Sequence, residues 1–585
     1  MSKFMPCLSA AVLMSTPSYA DDIVPPKIYT VSPGNVSMTD GSYIQDFHDL
    51  SIGDMRLDRY YYGSNSDANV KSFGNHIASS FDIFVAGNVT TQPYRRYKPI
   101  IHLGNSASGT YVKGSTNDIV GPVTEDAGSG KLDYVNGAYV YTSHEGVVYT
   151  FNPNVVALGV AFSQRVASIV YPNGRNLSFS YNGSGQLKTV VDSTGYAIVM
   201  DYNGSGLVAT ACGFNLASTY VSLTTTCAGA GLKVTYSYTS GNLTQVTDVM
   251  GGVTNISYNS NNHIVCIKPP GFSACKVSNT YSPTAANQVT QQSMADGTVW
   301  NYEHHTSQHV LNPMRFTSGN SSYTDPLGRV KRFYFSGSSP TAIVDENGQT
   351  TQYIFKGAYD NDWVSDEMAP AYEDYHSGSI LVQAKFPEQN MYAAENGGPY
   401  NSLSKETLKA KLSSNLPDLV KQYGYPPCPS GTAFLTCTQP IWIRDAKDGQ
   451  TDFIYASHGG VISEMAPAPS GGAARPLKLY TYVQKYAYIR NSGVDLVPAS
   501  SGMWLLQSET QCQTASGSSV PSCDGAAPQI VTVFEYGADG TANNLLLRGK
   551  VVSSAGASLR TCYSYDSYGN RVSETKPRAG LGGCP

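Results

Sequence analysis

The densest group of side chains that could do chemistry lies in the segment YEHHTSQH, which contains Glu303, His304, His305 and His309. Two histidines four residues apart share one face of a helix and could bind a metal ion there. The flanking residues are typical of a strand, however, in which residues four apart are separated by about 13 Å. We therefore interpret this segment as an exposed polar end of a strand, and we predict no metal site.

Carboxylates form two further candidate groups. The first could hold calcium, but it lacks the D-x-D-x-D-G pattern of a calcium loop, so we interpret it as a solvated acidic loop: Asp360, Asp362, Asp366 and Glu367. The second recurs where turns need Asp, so we interpret it as structural rather than as paired catalytic acids: Asp192, Asp248, Asp325 and Asp345. The sequence also lacks a G-x-S-x-G elbow, a P-loop and an H-E-x-x-H motif. We predict that the chain is not an enzyme and needs no cofactor.

The composition indicates which elements must position these residues. The 585 residues include 42 Tyr, 56 Gly and 32 Pro, which favour strands and turns over helices. Charged residues make up 14%, against about 25% in an ordinary soluble protein, and the net charge is −5. These values exclude coiled coils and lack the basic character of nucleic-acid binders. An all-β protein is predicted, with no nucleic acid as a partner.

Residues 1–20 have the three-part pattern of a secretory signal peptide. Lys3 is followed by an apolar stretch over residues 4–14, and Ser18 and Ala20 place small residues before a cleavage point at Asp21. No later segment contains 18 consecutive apolar residues, so we predict no membrane span. The mature protein is expected to be secreted or held at the cell surface, with the periplasm as a further destination.

The cysteines suit an oxidising compartment. Cys7 leaves with the signal peptide, and the others fall into neighbouring pairs, because every gap within a pair is shorter than every gap between pairs. The C-x₂₋₄-C spacing of zinc sites does not occur. The spacing therefore predicts five local disulfides: Cys212–Cys227, Cys266–Cys275, Cys428–Cys437, Cys512–Cys523 and Cys562–Cys584.

The middle of the chain is a repeat with a period of about 20 residues, within the range typical of repeat architectures. Gly174 recurs at Gly195, and Tyr181 recurs at Tyr202 with the same spacing. Further copies occupy residues 234–264, 323–355, 445–463 and 563–575. Each unit holds two turn signals with alternating residues between them, so one unit is a β-hairpin. A lone hairpin is only marginally stable in water, so successive hairpins must pair edge to edge in a continuous sheet. We expect the Tyr rings to pack against neighbouring strands while their hydroxyls contact solvent.

The repeat resembles that of the YD-repeat, or Rhs-repeat, family, whose units carry Tyr-Asp and Asp-x-x-Gly-Arg. The segments YTDPLGR at 323–329 and YDSYGNR at 565–571 are the nearest matches. Residues 34–64, the triplet FGN at 73–75 and the pair of segments 132–134 and 139–151 resemble the region that precedes the repeats in that family. The resemblance covers most of residues 30–360 and 441–585. It implies a spiralling sheet of YD-repeat hairpins that forms an open or partial shell.

Residues 361–440 interrupt the repeats. Leu403, Leu408 and Leu412 lie near helical spacing with Ser404 as N-cap, which predicts a helix over 402–412. Pro417 fits the first turn of a second short helix that ends near residue 422. We thus divide the chain into a signal peptide (1–20), an N-terminal β region leading into the repeats (21–160), YD repeats (161–360), an insertion with short helices (361–440), and further YD repeats with a C-terminal tail (441–585).

Two classes of function fit these observations. The resemblance implies an exported shell or cell-surface interaction protein, like bacterial Rhs or wall-associated proteins whose sheet encloses or presents a C-terminal toxin effector. Its partner would then be an effector or a continuation of the chain. The alternative is an extracellular carbohydrate-binding or carbohydrate-active β-protein that uses exposed Tyr to stack on cell-surface sugars.

The C-terminus discriminates between these classes. Complete Rhs toxins carry a self-cleaving segment followed by an effector, and neither is visible in this sequence. The D-P-x-G match at Asp325 lies within an ordinary repeat, so we reject it as a cleavage site. We expect an incomplete shell, partly wet on its concave face, that associates through the edge of its last strand.

Overall fold

The computed structural model describes residues 30–64, 72–89, 97–103, 107–113, 119–122, 130–152, 163–308, 317–336, 339–356, 380–385, 391–395, 402–410, 416–428, 434–493, 495–515 and 521–584. The predicted signal peptide lies outside these residues. Strands dominate throughout, as the Tyr- and Gly-rich composition predicts. The prediction of an all-β fold built from antiparallel hairpins is therefore confirmed.

A small antiparallel sheet of three strands begins the described chain: β1 (Ile44–Ile52), β2 (Met55–Tyr62) and β3 (Ile77–Ser79). The next strands lead into the main sheet: β4 (Ile83–Val89), β5 (Tyr97–Leu103), β6 (Ala107–Lys113), β7 (Ile119–Pro122), β8 (Lys131–Val135), β9 (Ala138–Thr142), β10 (Val148–Asn152) and β11 (Ser163–Val170). β11 is a branch point, because it pairs with β4, β10 and the strand that follows it.

The repeats supply the next fifteen strands, each paired with its neighbours in the chain. They are β12 (Asn176–Tyr181), β13 (Leu187–Asp192), β14 (Tyr196–Tyr202), β15 (Val208–Asn215), β16 (Leu232–Thr239), β17 (Asn242–Thr247), β18 (Val253–Tyr258), β19 (Ile264–Lys268), β20 (Val277–Tyr281), β21 (Val289–Met294), β22 (Val299–Gln308), β23 (Thr317–Thr324), β24 (Val330–Ser336), β25 (Ser339–Val344) and β26 (Thr350–Lys356).

The second half continues the same sheet. Its elements are β27 (Ile380–Lys385), β28 (Met391–Glu395), β29 (Lys405–Leu408), β30 (Leu419–Gly424), α1 (Phe434–Thr438), β31 (Trp442–Arg444), β32 (Gln450–Tyr455), β33 (Val461–Met465), β34 (Pro476–Lys485), β35 (Tyr488–Arg490), β36 (Leu496–Pro498), β37 (Met503–Gln513), β38 (Ile530–Tyr536), β39 (Leu547–Ser554), β40 (Ala557–Tyr565) and β41 (Arg571–Thr575), then a 3₁₀ turn (Pro577–Ala579). β35 and β36 form a separate hairpin, and β34 pairs directly with β37.

The sheet coils back on itself, so that its late strands lie against its early ones. The amide of Trp504 donates to the carbonyl of Asn173 at 2.7 Å, and the amide of Arg490 donates to the carbonyl of Leu216 at 2.7 Å. These contacts join segments that are far apart in the chain. Strands β34–β41 therefore form a second turn of a spiral that follows the first turn around β11–β15.

Most repeat turns are built from one Asp or Asn side chain and one glycine, whereas Asn262 and Asp448 take the place of the glycine in the turns of Asn259 and Asp445. The carboxylate of Asp325 accepts from the amides of Leu327 and Arg329, both at 2.9 Å, while Gly328 adopts φ 79°. A side chain with a Cβ is strained at that backbone angle, so Gly is preferred there. The same Asp or Asn arrangement recurs in the other repeats, at Asn182, Asn203, Asp248, Asn259, Asp345, Asp445 and Asp566. The turn chemistry predicted from the sequence is confirmed.

The repeat tyrosines bond the backbone of the preceding part of the sheet. Each hydroxyl donates to a carbonyl at 2.7–2.9 Å: Tyr181 to Val166, Tyr202 to Leu187, Tyr238 to Val208, Tyr258 to Leu243, Tyr281 to Ile264, Tyr425 to Leu403, Tyr455 to Pro440, Tyr482 to Val461, Tyr536 to Leu506 and Tyr565 to Leu547. We call this series the tyrosine ladder. The expectation of wet hydroxyls was wrong, because the hydroxyl satisfies a carbonyl of the protein itself.

A β-bulge accompanies nearly every step of the tyrosine ladder. The pairing register shifts by one residue at Tyr181 and Tyr202, and again at Tyr238, Tyr258, Tyr281, Tyr455, Tyr482, Tyr536 and Tyr565. A bulge redirects the side chain at the kink and increases the local twist of the strand. The repeated bulge thus aims each ring toward the preceding strand and contributes to the coiling of the sheet.

The two helices predicted for the insertion are wrong. The chain forms β29 and β30 there, and Leu408 pairs with Tyr392 on one side and Leu419 on the other. The carboxylate of Glu406 is buried and accepts from the hydroxyl of Tyr423 at 2.5 Å. Segments this short gain little from helix propensity, so pairing within the sheet decides their conformation. The helix within 361–440 that the structure describes is the five-residue α1.

Five disulfides join neighbouring cysteines in the order that their spacing predicts. The bonds are Cys212–Cys227, Cys266–Cys275, Cys428–Cys437, Cys512–Cys523 and Cys562–Cys584, with Cα–Cα distances of 5.2–5.6 Å. Each closes a short loop, and the longest separation between bonded cysteines is that of Cys562 and Cys584. The bonds therefore fix single hairpins and loops rather than distant parts of the spiral.

The tyrosine ladder predicts a selective loss of stability. Tyr202→Phe keeps the ring but removes the donor to the carbonyl of Leu187, which should lower the free energy of unfolding by about 1–2 kcal/mol. Urea unfolding followed by fluorescence measures this change. Tyr220→Phe is the control, because the side chain of Tyr220 is 48% exposed. An equal effect of the two substitutions would contradict a structural role for the ladder hydroxyl.

Candidate functional site

The histidine segment lies on a strand, as interpreted from the sequence, but one of its members is not exposed. Glu303 and His305 are exposed on β22, while the ring of His304 lies against Gly41 of the N-terminal segment. Burial lowers the pKa of His304. The interpretation as an exposed strand end is therefore wrong for His304, because the N-terminal segment covers that face of the sheet. His309 lies outside the described residues.

Only one of the two groups of candidate carboxylates lies in the described part of the chain. Asp360, Asp362, Asp366 and Glu367 lie outside the described residues. Asp192, Asp248, Asp325 and Asp345 each bond the backbone of a turn. Over the described ranges, no group of three His, Cys, Asp or Glu side chains is arranged to hold a metal ion. The turn carboxylates thus have the structural role that the sequence indicates.

The first functional feature of the structure is an internal plug, which we define as residues 30–64 and 72–82. Its strands β1–β3 pack against one face of the main sheet, and their side chains are among the most buried in the described chain. Leu57 and Tyr61 are 0% exposed. The alternation of apolar residues along β2 places one face of this small sheet into the core.

A buried ion pair anchors the plug. Arg59 donates to Asp49 through Nε at 2.5 Å and Nη2 at 2.9 Å, and Arg59 is only 1% exposed. The hydroxyl of Tyr236 on β16 donates to the same carboxylate at 2.7 Å, and the Arg59 guanidinium lies over the ring of Phe47. Burial and the nearby carboxylate raise the pKa of Tyr236 well above its usual value. Both members of the pair belong to the plug, so the pair holds the β1–β2 hairpin together, and breaking a buried pair costs about 3–5 kcal/mol. The hydrogen bond from Tyr236 ties this hairpin to the sheet.

The plug contacts a long run of consecutive repeats. The amide of Asn75 donates to the carbonyl of Gly241 at 3.0 Å, and the amide of Ile264 donates to the hydroxyl of Tyr61 at 3.1 Å. Further along, Gln292 donates to the carbonyl of Gly34 at 2.8 Å and Ser321 bonds the carbonyl of Met38. These bonds extend from β16 to β23, so the plug sets the curvature of the first part of the spiral.

Two histidines meet where the plug joins the sheet. The rings of His76 and His263 lie 5.3 Å apart, and His263 also stacks on Tyr281 at 5.3 Å. Burial lowers the pKa of His263, and the neighbouring His76 lowers it further. The interface accordingly favours the neutral form of the imidazole.

The second functional feature is an open cleft of about 500 Å³ between the two turns of the spiral, which we call the inter-turn cleft. Asp54 from the β1–β2 turn, Tyr171 and Arg175 from the first turn, and Tyr482 and Trp504 from the second turn line it. His458 stacks on Trp504 at 4.9 Å and meets Tyr482 edge-on at 4.7 Å. Aromatic rings and polar groups thus converge from separate parts of the chain.

The third feature is the partial exposure of late strands of the sheet, β30 and β32, which precede the second turn. Strand β13 is almost wholly buried, whereas all six residues of β30 and five of the six in β32 are partly exposed. None of the plug bonds described above involves β30 or β32, although the amide of Gly53 donates to the carbonyl of Tyr568, between β40 and β41, at 3.2 Å. In the described part of the chain, β30 and β32 thus keep partly exposed side chains.

Sequence reasoning missed the plug and the inter-turn cleft. The alternation of apolar residues in 50–61 indicates a half-buried sheet but does not identify what covers it. Nothing in the local sequence marks Arg59 as buried: Asp49 lies on the neighbouring strand of the same hairpin, but Tyr236, which also bonds Asp49, is distant in the chain. The cleft is formed from seven separate segments, which become neighbours through the coiling of the sheet.

The interface histidines predict a loss of stability in acid. Because the pKa of folded His263 lies below its unfolded value of 6.5, the unfolded chain binds a proton first, and stability falls as the pH drops through 6.5. Urea midpoints at pH 7.5 and 5.0 should differ less in His263→Phe than in the wild type. The control is His305→Gln, whose side chain is exposed and whose pH dependence should match the wild type. An unchanged pH dependence in His263→Phe would contradict this assignment.

No helix in the described part of the chain is long and apolar enough to cross a membrane.

Comparisons with known proteins give remote similarities. The sequence matches no protein-family profile and no curated protein. Among solved structures, the chain is similar to one from the TcdB2-TccC3-Cdc42 complex, with 10% identity and a TM-score of 0.39, over 89% of this chain and 27% of the other. TcdB2-TccC3 without its hypervariable C-terminal region gives 11% identity and a TM-score of 0.33, over 92% and 28% of the two chains. The chain thus spans under a third of the length of these structures.

Proposed function

We propose that this chain is an exported, non-catalytic β-shell scaffold that encloses or presents a polypeptide effector. The observation that carries the proposal is the contrast between the early and the late strands of the sheet. The early repeat strands pack against the plug, while the late strands β30 and β32 keep a partly exposed surface. The resemblance of the repeats to the YD-repeat family supports the same function.

The exposed surface of the late strands suits a polypeptide partner. Ile454 is 42% exposed and Val533 is 37% exposed, although both lie within strands. Such apolar side chains, set among polar neighbours, can contact an extended or unfolded chain without demanding one sequence. A scaffold that encloses different polypeptides needs this kind of surface.

The last strand offers a place where a partner strand can join. Among the described strands, β41 pairs only with β40, and Val572 on it is 62% exposed. The tail beyond β41 is held back by Cys584, whose Sγ lies near Gly549 on β39. The tail therefore lies toward β39, and the outer edge of β41 can accept a strand of a continuation chain or a second copy.

Protease protection tests the enclosure. A polypeptide fused after Pro585 and exported with the chain should resist a protease that digests the same polypeptide when it is merely mixed with the scaffold. Intact mass of the fused segment over time gives the readout. Digestion at the same rate in both samples would refute enclosure.

The edge of β41 yields a separate prediction about association. Val572→Lys places a charge on the open strand edge, so it should abolish self-association while leaving the unfolding midpoint unchanged. Sedimentation velocity measures the oligomeric state. Leu559→Lys on β40 is the matched control, because Leu559 is 58% exposed but lies on the strand next to β41, where it pairs with Val552 of β39. A wild-type protein that stays monomeric at high concentration would contradict association through this edge.

A further inference from the structure

We propose that the inter-turn cleft binds a neutral saccharide. This site is distinct from the surface proposed to hold a polypeptide, and it depends on residues that the scaffold function does not use. Its volume of about 500 Å³ lies within the usual range of small-molecule sites and accommodates a short oligosaccharide.

The aromatic side chains supply the apolar part of such a site. Trp504, His458 and Tyr482 form one packed group, with the Trp504 and His458 rings nearly parallel at 16°. Their mutual packing holds the ring planes in place before any ligand arrives. Rigid aromatic surfaces suit the flat, C–H-bearing face of a sugar ring and lose little conformational freedom on binding.

The polar side chains supply hydrogen bonds of both kinds. Gln439 and Asn173 can each donate and accept through their amide groups, and the carboxylates of Asp54 and Glu145 accept. A sugar hydroxyl both donates and accepts, so it matches this mixture. Asp54 and Glu145 are exposed, and their carboxylates are available to a ligand that enters from solvent.

The charges of the cleft argue against an anionic ligand. Arg175 is the cation of the lining, and its Nε and Nη2 already donate to Asp192 at 2.9 and 2.6 Å. Its guanidinium also lies over the ring of Tyr171 at 5.2 Å. The two exposed carboxylates therefore dominate the field at the mouth, which disfavours phosphate, sulfate and uronic acid groups.

The position of the cleft links binding to the stability of the shell. Asp54 belongs to the plug, Arg175 to the first turn and Trp504 to the second turn. A ligand that contacts all three connects parts of the spiral that otherwise meet through a few bonds. Binding should therefore raise the midpoint of thermal unfolding as well as change the fluorescence of Trp504.

Titration of the exported full chain tests the proposal. The probes are neutral trisaccharides of β-1,4-linked glucose, β-1,4-linked N-acetylglucosamine and α-1,4-linked glucose, followed by tryptophan fluorescence and calorimetry. We expect at least one to bind, with affinity at least tenfold weaker in Trp504→Ala. The double variant Asp54→Asn, Glu145→Gln should lose affinity similarly without a change in unfolding midpoint, since both side chains are exposed. Glu303→Gln, an exposed carboxylate outside the cleft, is the matched control and should bind normally.

Each outcome of the titration either supports or overturns the proposed saccharide site. Binding that is lost in the cleft variants and kept in Glu303→Gln supports the site. No binding of any neutral probe at millimolar concentration overturns it, as does tighter binding of an acidic or cationic oligosaccharide, or binding that the cleft variants leave unchanged. A negative titration would overturn the saccharide site without affecting the protease-protection result, so the two experiments test the two proposals independently.

Discussion

The hydrogen bond from a repeat tyrosine to the backbone of the preceding part of the sheet is the interaction on which the rest of the structure depends. A hairpin alone is marginal in water, and pairing along its edges does not fix its register uniquely. The hydroxyl of Tyr202 reaches one defined carbonyl, that of Leu187, and the bulge at Tyr202 aims the ring toward it. Repeated along the chain, this contact locks each step of the sheet in register. The period of the repeat is thus the spacing between two such contacts.

A sheet that coils in this way needs something inside its first turn. The plug meets that need, since its apolar face covers the inner side chains of the early repeats and the Arg59–Asp49 pair accepts a further bond from Tyr236. A buried ion pair adds little net stability compared with an apolar core, but a shifted partner would leave a charge unpaired. The pair therefore fixes the pairing of β1 with β2, and the bond from Tyr236 fixes that hairpin on the sheet. In the later strands β30 and β32 most side chains stay partly exposed, and this difference separates them from the early strands that pack against the plug.

Local structure can be predicted well from the sequence because residue types alone specify the turns of the repeats. Asp325 and Gly328 specify their turn without help from the rest of the fold, and cysteine spacing suffices to suggest short loops. The insertion shows where such prediction fails. Its three leucines have helical spacing, but the segment forms a strand because Leu408 pairs with neighbouring strands on both sides. The burial of His304 and the inter-turn cleft depend on which distant segments the coiling brings together. Those contacts have no local signal.

Hydrogen exchange of the exported protein, followed by mass spectrometry, tests the central claim most directly. If the tyrosine ladder and the plug form one cooperative unit, amides of β2 and of β13–β17 should exchange at a common slow rate, through the same opening event. Amides of β41, at the open edge, should exchange much faster. Fast exchange of β2 with slow exchange of β13–β17 would contradict the account, because the first turn of the sheet would then hold its shape without its plug.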